Sequence, residues 1–410
     1  MVSPIGIGGQ AYWDSLRSLR SGIGPLAELE LALPAISFGG RITDFDPKQH
    51  VRPRKALKVM CREIQTAFAA ATLAIDDASL HSESYKPARM ATVFGSEMMS
   101  GEPDELAETM LECGVQSGLP DVTKFGEAAM RKVFPLWMLK YLPNMATCHV
   151  GIALGAEGPN NTLVLGDSSG LAALYETVSV LDRGGADCVV CGGAGTRISP
   201  VRMIYNHDLP IASRREPIED SSRPFALDRD GMVGGEAAAM LILEQAEKAA
   251  SRGARPLGFV EGLALRFIPP ASPGRGPERA IEQAIRAALA TAGCGEEGIG
   301  AVVSHAFGHP VQDRAEAQAL AAVFGNAMPV VAPIAAVGHS GAASGSLALV
   351  TAAMMLHHRT IPPTRHARAR DPECPVQLLE VPKPLDDARV LVLSHTMLGN
   401  AAAAILGPLR

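Results

Sequence analysis

Short apolar runs alternate with longer amphipathic, Ala-rich stretches along the chain, the pattern of a largely parallel sheet covered by helices. The periodicity predicts a long helix over 56–78 and a strand at 90–95. A buried strand at 162–165 turns into a helix over 171–181, with further strands at 188–191 and 239–244 and a basic helix running to 252. Pro and Gly then become frequent between 256 and 276. The recipe repeats more compactly beyond: helix 277–292, strand 300–304, helix 314–323, strand 329–332, a helix from 342 and a strand at 390–394. The chain reads as two α/β halves of related design, 1–254 and 255–410.

The sharpest local signal is Leu163-Val164-Leu165-Gly166-Asp167-Ser168-Ser169-Gly170. An apolar strand that turns on small residues into a helix lifts one side chain to the helix N-terminus, where the dipole favours negative charge. Enzymes place a Cys or Ser nucleophile there. Here the raised residue is Asp167, which reads equally as an N-cap, since its carboxylate can accept from the first free N–H groups.

Composition narrows the class. With 410 residues, 47% hydrophobic and 20% charged, the chain can bury two cores. A net charge of −6 without a basic block argues against nucleic acid. Met1-Val2-Ser3-Pro4 lacks the features of a secretory leader. The stretch 340–356, with Gly341 and Gly345, reads as a buried helix and not as a membrane span. Seven irregularly spaced Cys argue for a reducing cytoplasm. Cys188 and Cys191 lie three apart on a strand, facing opposite sides, so a shared metal or disulfide is not expected.

Three more segments place His at strand exits, where sites form on open α/β sheets: Ser304-His305-Ala306-Phe307-Gly308-His309-Pro310, Val337-Gly338-His339-Ser340 and Leu393-Ser394-His395-Thr396-Met397. Together with longer motifs they resemble the β-ketoacyl-[acyl carrier protein] synthases, or ketosynthases. Arg223-Pro224-Phe225-Ala226-Leu227-Asp228-Arg229-Asp230-Gly231-Met232-Val233-Gly234-Gly235-Glu236 is similar to that family's R-P-F-D-x-x-R-D-G-F-V-x-G-E signature. Ser304-His305 with Pro310 and Asp313 resembles its first His motif, and Gly338-His339-Ser340-Gly341-Ala342-Ala343-Ser344-Gly345 its second. Asn144-Met145-Ala146-Thr147-Cys148-His149 through Gly158-Pro159-Asn160 resembles the approach to its nucleophile.

The resemblance implies an α/β thiolase-like fold, two related halves in an α-β-α-β-α layering. It implies a Cys at the elbow that takes an acyl chain from a carrier protein, and two His that promote decarboxylation and stabilise the enolate. Here the Cys position falls on Asp167, while His305 and His339 fill both His positions. Ser168 lies one step further, but on a helix that step turns the side chain by about 100°. A Lys before the second His motif becomes Ile334, and threonines that contact the phosphopantetheine arm become Phe307 and His309. The gating loop becomes Leu398-Gly399-Asn400-Ala401-Ala402-Ala403, without its aromatic. Phe307, His309, Met397 and Gly399 are thus the expected substrate-binding positions. Met1 falls just after the family's first strand, so that strand is expected to be missing, with a mis-assigned start as the explanation.

These departures imply a cytoplasmic, non-condensing subunit resembling a chain-length factor, paired with a Cys-bearing ketosynthase or with itself. Acyl carrier protein, bearing phosphopantetheine, is the expected substrate carrier, and no bound cofactor or metal is expected. The alternative is an enzyme that uses Asp167, His305 and His339, as a malonyl-carrier decarboxylase or, less in keeping with a site built around an acyl group, as a metal site.

Overall fold

The computed structural model describes residues 1–410 except 28, 31–32, 82, 205–209, 270–275, 387 and 410. Part of the Pro- and Gly-rich stretch, 270–275, therefore lies outside the described residues. The first half carries β1 (Val2–Ser3), β2 (Gly6–Ile7), β3 (Ile23–Pro25), β4 (Phe38–Gly40), β5 (Met90–Gly95), β6 (Asn160–Leu163), β7 (Cys188–Thr196) and β8 (Glu236–Glu244). The second carries β9 (Phe259–Phe267), β10 (Ile299–Val303), β11 (Pro329–Val331), β12 (Thr360–Ile361), β13 (Gln377–Leu378), β14 (Lys383–Pro384), β15 (Arg389–His395) and β16 (Asn400–Gly407).

Two six-stranded sheets dominate, in the orders β2-β1-β8-β7-β5-β6 and β13-β11-β10-β15-β16-β9. They are mixed, which corrects the expectation of a largely parallel sheet. β5 is parallel to β6 and β7, but β7 and β8 are antiparallel, as are β15 with β16 and β16 with β9. The four residues between β15 and β16 permit only a hairpin, because a parallel return needs a long crossover. β9 and β16 escaped the sequence reading: one lies inside the Pro- and Gly-rich stretch, and the other begins Asn-Ala-Ala-Ala-Ala, residues with little strand preference. The short strand β1, Val2–Ser3, pairs with β2 and meets β8 at Val2 opposite Ala238.

Two helices, Ser169–Asp182 and Ser344–His358, lie between the sheets. One continuous core joins Leu171, Leu174, Leu347 and Ala348 to Val189 and Ala239 of the first sheet and Val303, Val392 and Ala404 of the second. Helices Pro277–Ala292 and Pro310–Phe324 cover the outer face of the second sheet, and Arg62–Asp77 with Met145–Leu154 that of the first. This is the α-β-α-β-α layering. The predicted helix 56–78 is split: a 3₁₀ turn at Arg54–Val59 ends at extended Met60, and the helix proper starts at Arg62. Ser344–His358 is buried from Ser344 to Leu356, and among the described residues no helix is long and apolar enough to cross a membrane.

The strand before the elbow is not buried, as the sequence had suggested. β6 is the edge strand of its sheet, and Val164 and Leu165 beyond it are 43% and 41% exposed.

Candidate active site

The elbow is made by small residues. Gly166 takes φ +58°, a conformation that costs a residue with a Cβ. Its carbonyl accepts from Ser169 N at 3.1 Å and Ser169 Oγ at 2.6 Å, and Ser169 Oγ accepts from Leu165 N at 2.9 Å. Ser169 therefore staples the turn. Asp167 is not its cap: Ser168 holds the N-cap position without a side-chain bond, and its Oγ is buried with no partner. The Asp167 carboxylate instead accepts from Arg197 Nη2 at 2.6 Å, while its carbonyl accepts from Ser394 Oγ at 2.8 Å.

His305 follows β10 in a tight turn, with Ala306 at φ +47° and Gly308 at +73°. The turn is gripped from the helix Pro310–Phe324. Glu316 accepts from His305 N (3.0 Å) and Ala306 N (2.8 Å), and Asp313 accepts from Phe307 N (2.7 Å) and Gly308 N (3.1 Å). Glu316 is also bonded by His395 Nε2 at 3.1 Å. His339 is placed by Gly338 and by backbone bonds to Val233 and Gly235. Its Nε2 lies 3.3 Å from His305 Nε2, and Asp167, His305 and His339 bring ligand atoms within 4.8 Å of one another. The structure thus gathers the three residues singled out in the sequence.

Their charge states follow from the surroundings. Burial pushes the Asp167 carboxyl up, but Arg197 and then the two imidazoles outweigh it and hold the group well below the usual carboxylate range. Arg197, permanently charged, is the partner that acts at neutral pH. Burial lowers His339 to about 4 against the pull of Asp167, and burial with the neighbouring His395 and His339 drives His305 well down. The site is an ionised carboxylate facing two neutral imidazoles.

A carboxylate and two imidazoles can ligate a metal when a ring nitrogen of each imidazole offers a free lone pair. His339 Nδ1 accepts from Gly341 N at 3.3 Å, which leaves the ring proton on Nε2 and no lone pair there for an ion. Buried His305 Nδ1 has no partner, where a metal-bound imidazole ordinarily donates to an outer acceptor. Arg197 already neutralises the carboxylate. The donor set suits a hydrogen-bonded oxygen, not a cation.

Family models for the β-ketoacyl synthase N-terminal domain and C-terminal domain match residues 1–249 and 271–368. The chain belongs to the β-ketoacyl synthase family. Relatives include the 3-oxoacyl-[acyl-carrier-protein] synthase 2 of Synechocystis sp., 30% identical over 382 residues, covering 91% of this chain and 87% of that protein. The protein of the same name from Staphylococcus aureus is 28% identical, covering 97% and 96%. Among solved structures, the ishigamide ketosynthase/chain length factor superposes with a TM-score of 0.84 at 28% identity, covering 100% of this chain and 97% of that one. A β-ketoacyl synthase from Burkholderia phymatum STM815 shares the fold, with a TM-score of 0.85 at 24% identity and coverage of 100% and 97%.

Within this β-ketoacyl synthase frame, Phe307 is fully buried against the imidazoles, edge-on to His305 and His395 and packed with Met232 and Met397. His309 is half-buried at the start of the helix Pro310–Phe324. Gly399 shapes the β15–β16 turn with φ +93°, and its carbonyl accepts from Ile268 N at 3.0 Å. Sequence reasoning missed Arg197, Glu97 and Glu316, and left His395 out of the site. Their signal was position: Glu97 and Arg197 follow β5 and β7 as Asp167 follows β6.

Proposed function

We propose that the chain is a non-condensing ketosynthase-like subunit of fatty acid or polyketide biosynthesis, resembling a chain-length factor, which pairs with a ketosynthase that carries the Cys nucleophile. The observation that carries this reading is Asp167, ionised and bound to Arg197 at the elbow where the family places its nucleophile. A carboxylate so held is a poor nucleophile and cannot carry an acyl chain as a thioester. Family models match across both halves, over 1–249 and 271–368, as expected of a subunit kept for assembly. Edge strand β6 supports a partner surface, with an unpaired backbone edge beside exposed Val164, Leu165 and Ile152. The related ishigamide structure pairs a ketosynthase with a chain length factor, by its description. Acyl carrier protein would then deliver its phosphopantetheine-bound chain to the partner's Cys.

The test is co-expression with a Cys-bearing ketosynthase, followed by native mass spectrometry. A one-to-one complex is expected, and a stable homodimer that ignores the partner overturns the reading.

One feature favours a second activity on the same site. His339 presents Nε2–H towards the space shared with His305 and Asp167, a donor suited to an enolate oxygen. Malonyl-carrier decarboxylation needs that donor but no acyl-enzyme. Radiolabelled carbon dioxide released from malonyl-carrier and lost in His305→Ala and His339→Ala supports it; no release excludes it.

A further inference from the structure

We infer that Arg197 and Glu97, beyond the absence of a thiol, keep acyl groups off the elbow, an inference that rests on reading position 167 as the family's acylation point. Three strand exits converge there. Arg197 Nη2 lies 2.6 Å from Asp167 Oδ1 and 3.3 Å from Glu97 Oε2, and Arg202 stands 3.6 Å from the same Glu97 oxygen. The side chains of Arg197, Asp167 and Glu97 are only 15%, 12% and 6% exposed.

The backbone is shaped around this cluster. A Cβ on Gly341 would lie 2.5 Å from Glu97 Oε1 and 3.0 Å from Arg197 Nε, and one on Gly195 would lie 2.9 Å from Glu97 Oε1. Gly341, at φ +59°, and Gly195, whose Cβ would first meet the Ser340 carbonyl oxygen at 2.4 Å, also let the backbone lie close against the carboxylate and the guanidinium. The three charges are therefore built into the interior, not a surface pairing of the moment.

The steric consequence is direct. An acyl group on the side chain at 167 must place its carbonyl at the side-chain terminus and its chain beyond. The imidazoles of His305 and His339 stand on one side of that terminus, and the guanidinium stands at hydrogen-bond distance. Displacing Arg197 would strip the buried Asp167 carboxylate of its counter-ion and leave Glu97 with Arg202 alone, so charge pairing holds the obstruction in place.

The experiment is acylation of the full-length Asp167→Cys protein by a hexanoyl N-acetylcysteamine thioester. The Cys thiol loses its proton, the thiolate attacks the carbonyl, a new C–S bond forms, the thioester C–S bond breaks, and N-acetylcysteamine leaves as a thiolate that takes up a proton from solvent. Mass spectrometry of the peptide containing residue 167 reads the product, and iodoacetamide alkylation of the same peptide reports a folded, reachable thiol. The single variant is expected to alkylate without acylating. Combining it with Arg197→Ala and Glu97→Gln should raise acylation at least about a hundredfold. Equal acylation of both, or a triple variant that alkylates but never acylates, overturns the inference. Should Asp167→Cys alone unfold, Asp167→Cys with Arg197→Met, which keeps the bulk, is compared with Asp167→Cys with Arg197→Ala, which removes it; only the latter should acylate, and equal rates overturn the inference. Partner binding is measured separately, so a failed complex would remove the proposed function without touching this result.

Discussion

Phe307 lies flat against His339, with ring centroids 4.9 Å apart and planes 14° from parallel. The stacked ring packs against the two-imidazole site, which also includes Asp167, itself held by Arg197. The site is enclosed by its own side chains. Phe307→Ala should cost about 3–5 kcal/mol of stability, because it removes a fully buried ring from between three imidazoles. Equilibrium urea unfolding measures it, and a loss under 1 kcal/mol (about one methylene's worth) would show that the ring is not packed as described.

Arg197→Ala should be destabilising by about 3–5 kcal/mol at neutral pH, since it leaves the Asp167 carboxylate buried without its cation. Adding Asp167→Asn should restore part of the loss by removing the orphaned charge. A double-mutant cycle by thermal and urea unfolding reads the coupling, and strictly additive losses would contradict the pairing.

Acid should unfold the protein partly through its imidazoles. Burial holds folded His339 at about 4, against 6.5 for the ordinary group. Between those values the unfolded chain takes up the proton and the folded chain does not. Stability is therefore complete above pH 6.5 and falls as the pH drops towards 4, by up to about 3 kcal/mol. His305 is shifted the same way and adds to the slope. Asp167, shifted down, contributes stability that is present above the ordinary 3.8 and is lost only at lower pH. Urea midpoints from pH 7 to 4.5 should fall less for His339→Leu than for the parent, and identical slopes would refute the assignment.

Glu316→Ala should loosen the His305 turn, because the backbone N–H groups of His305 and Ala306 and the His395 ring all lose a buried acceptor. The expected cost is about 2–4 kcal/mol, with Glu316→Gln milder. Hydrogen exchange of the Ala306 amide, accelerated in the Ala variant, checks the mechanism.

Leu165→Lys with Val164→Glu should abolish the proposed complex and spare the fold, since both side chains are exposed beside an edge strand. Size-exclusion chromatography of the co-expressed pair decides it, and an intact complex would move the partner surface elsewhere.

Much of this architecture was legible because its signals are local. Pro277–Ala292 carries its own periodicity, and Gly166 through Gly170 announces a strand-to-helix turn by composition alone. His305 and His339 were legible as strand-exit residues with motif context. The partners of Asp167 were not, because Arg197 comes from a strand exit 30 positions away and only the sheet order brings it near. The capping expectation failed for the same reason: a long-range cation outbid the local N–H groups. Exposure of Val164 and Leu165 was also hidden, since an apolar run does not tell whether its strand is central or at an edge.

The place of β16 has a consequence for biosynthesis. β9 has one sheet neighbour, β16, which is translated more than 130 residues later. During synthesis β9 must wait with an apolar, unpaired edge until 400–407 emerge, while the first sheet can already have closed. The second sheet thus closes only when the chain is nearly finished, and a ribosome stalled between the two strands would leave β9 without the strand it pairs with.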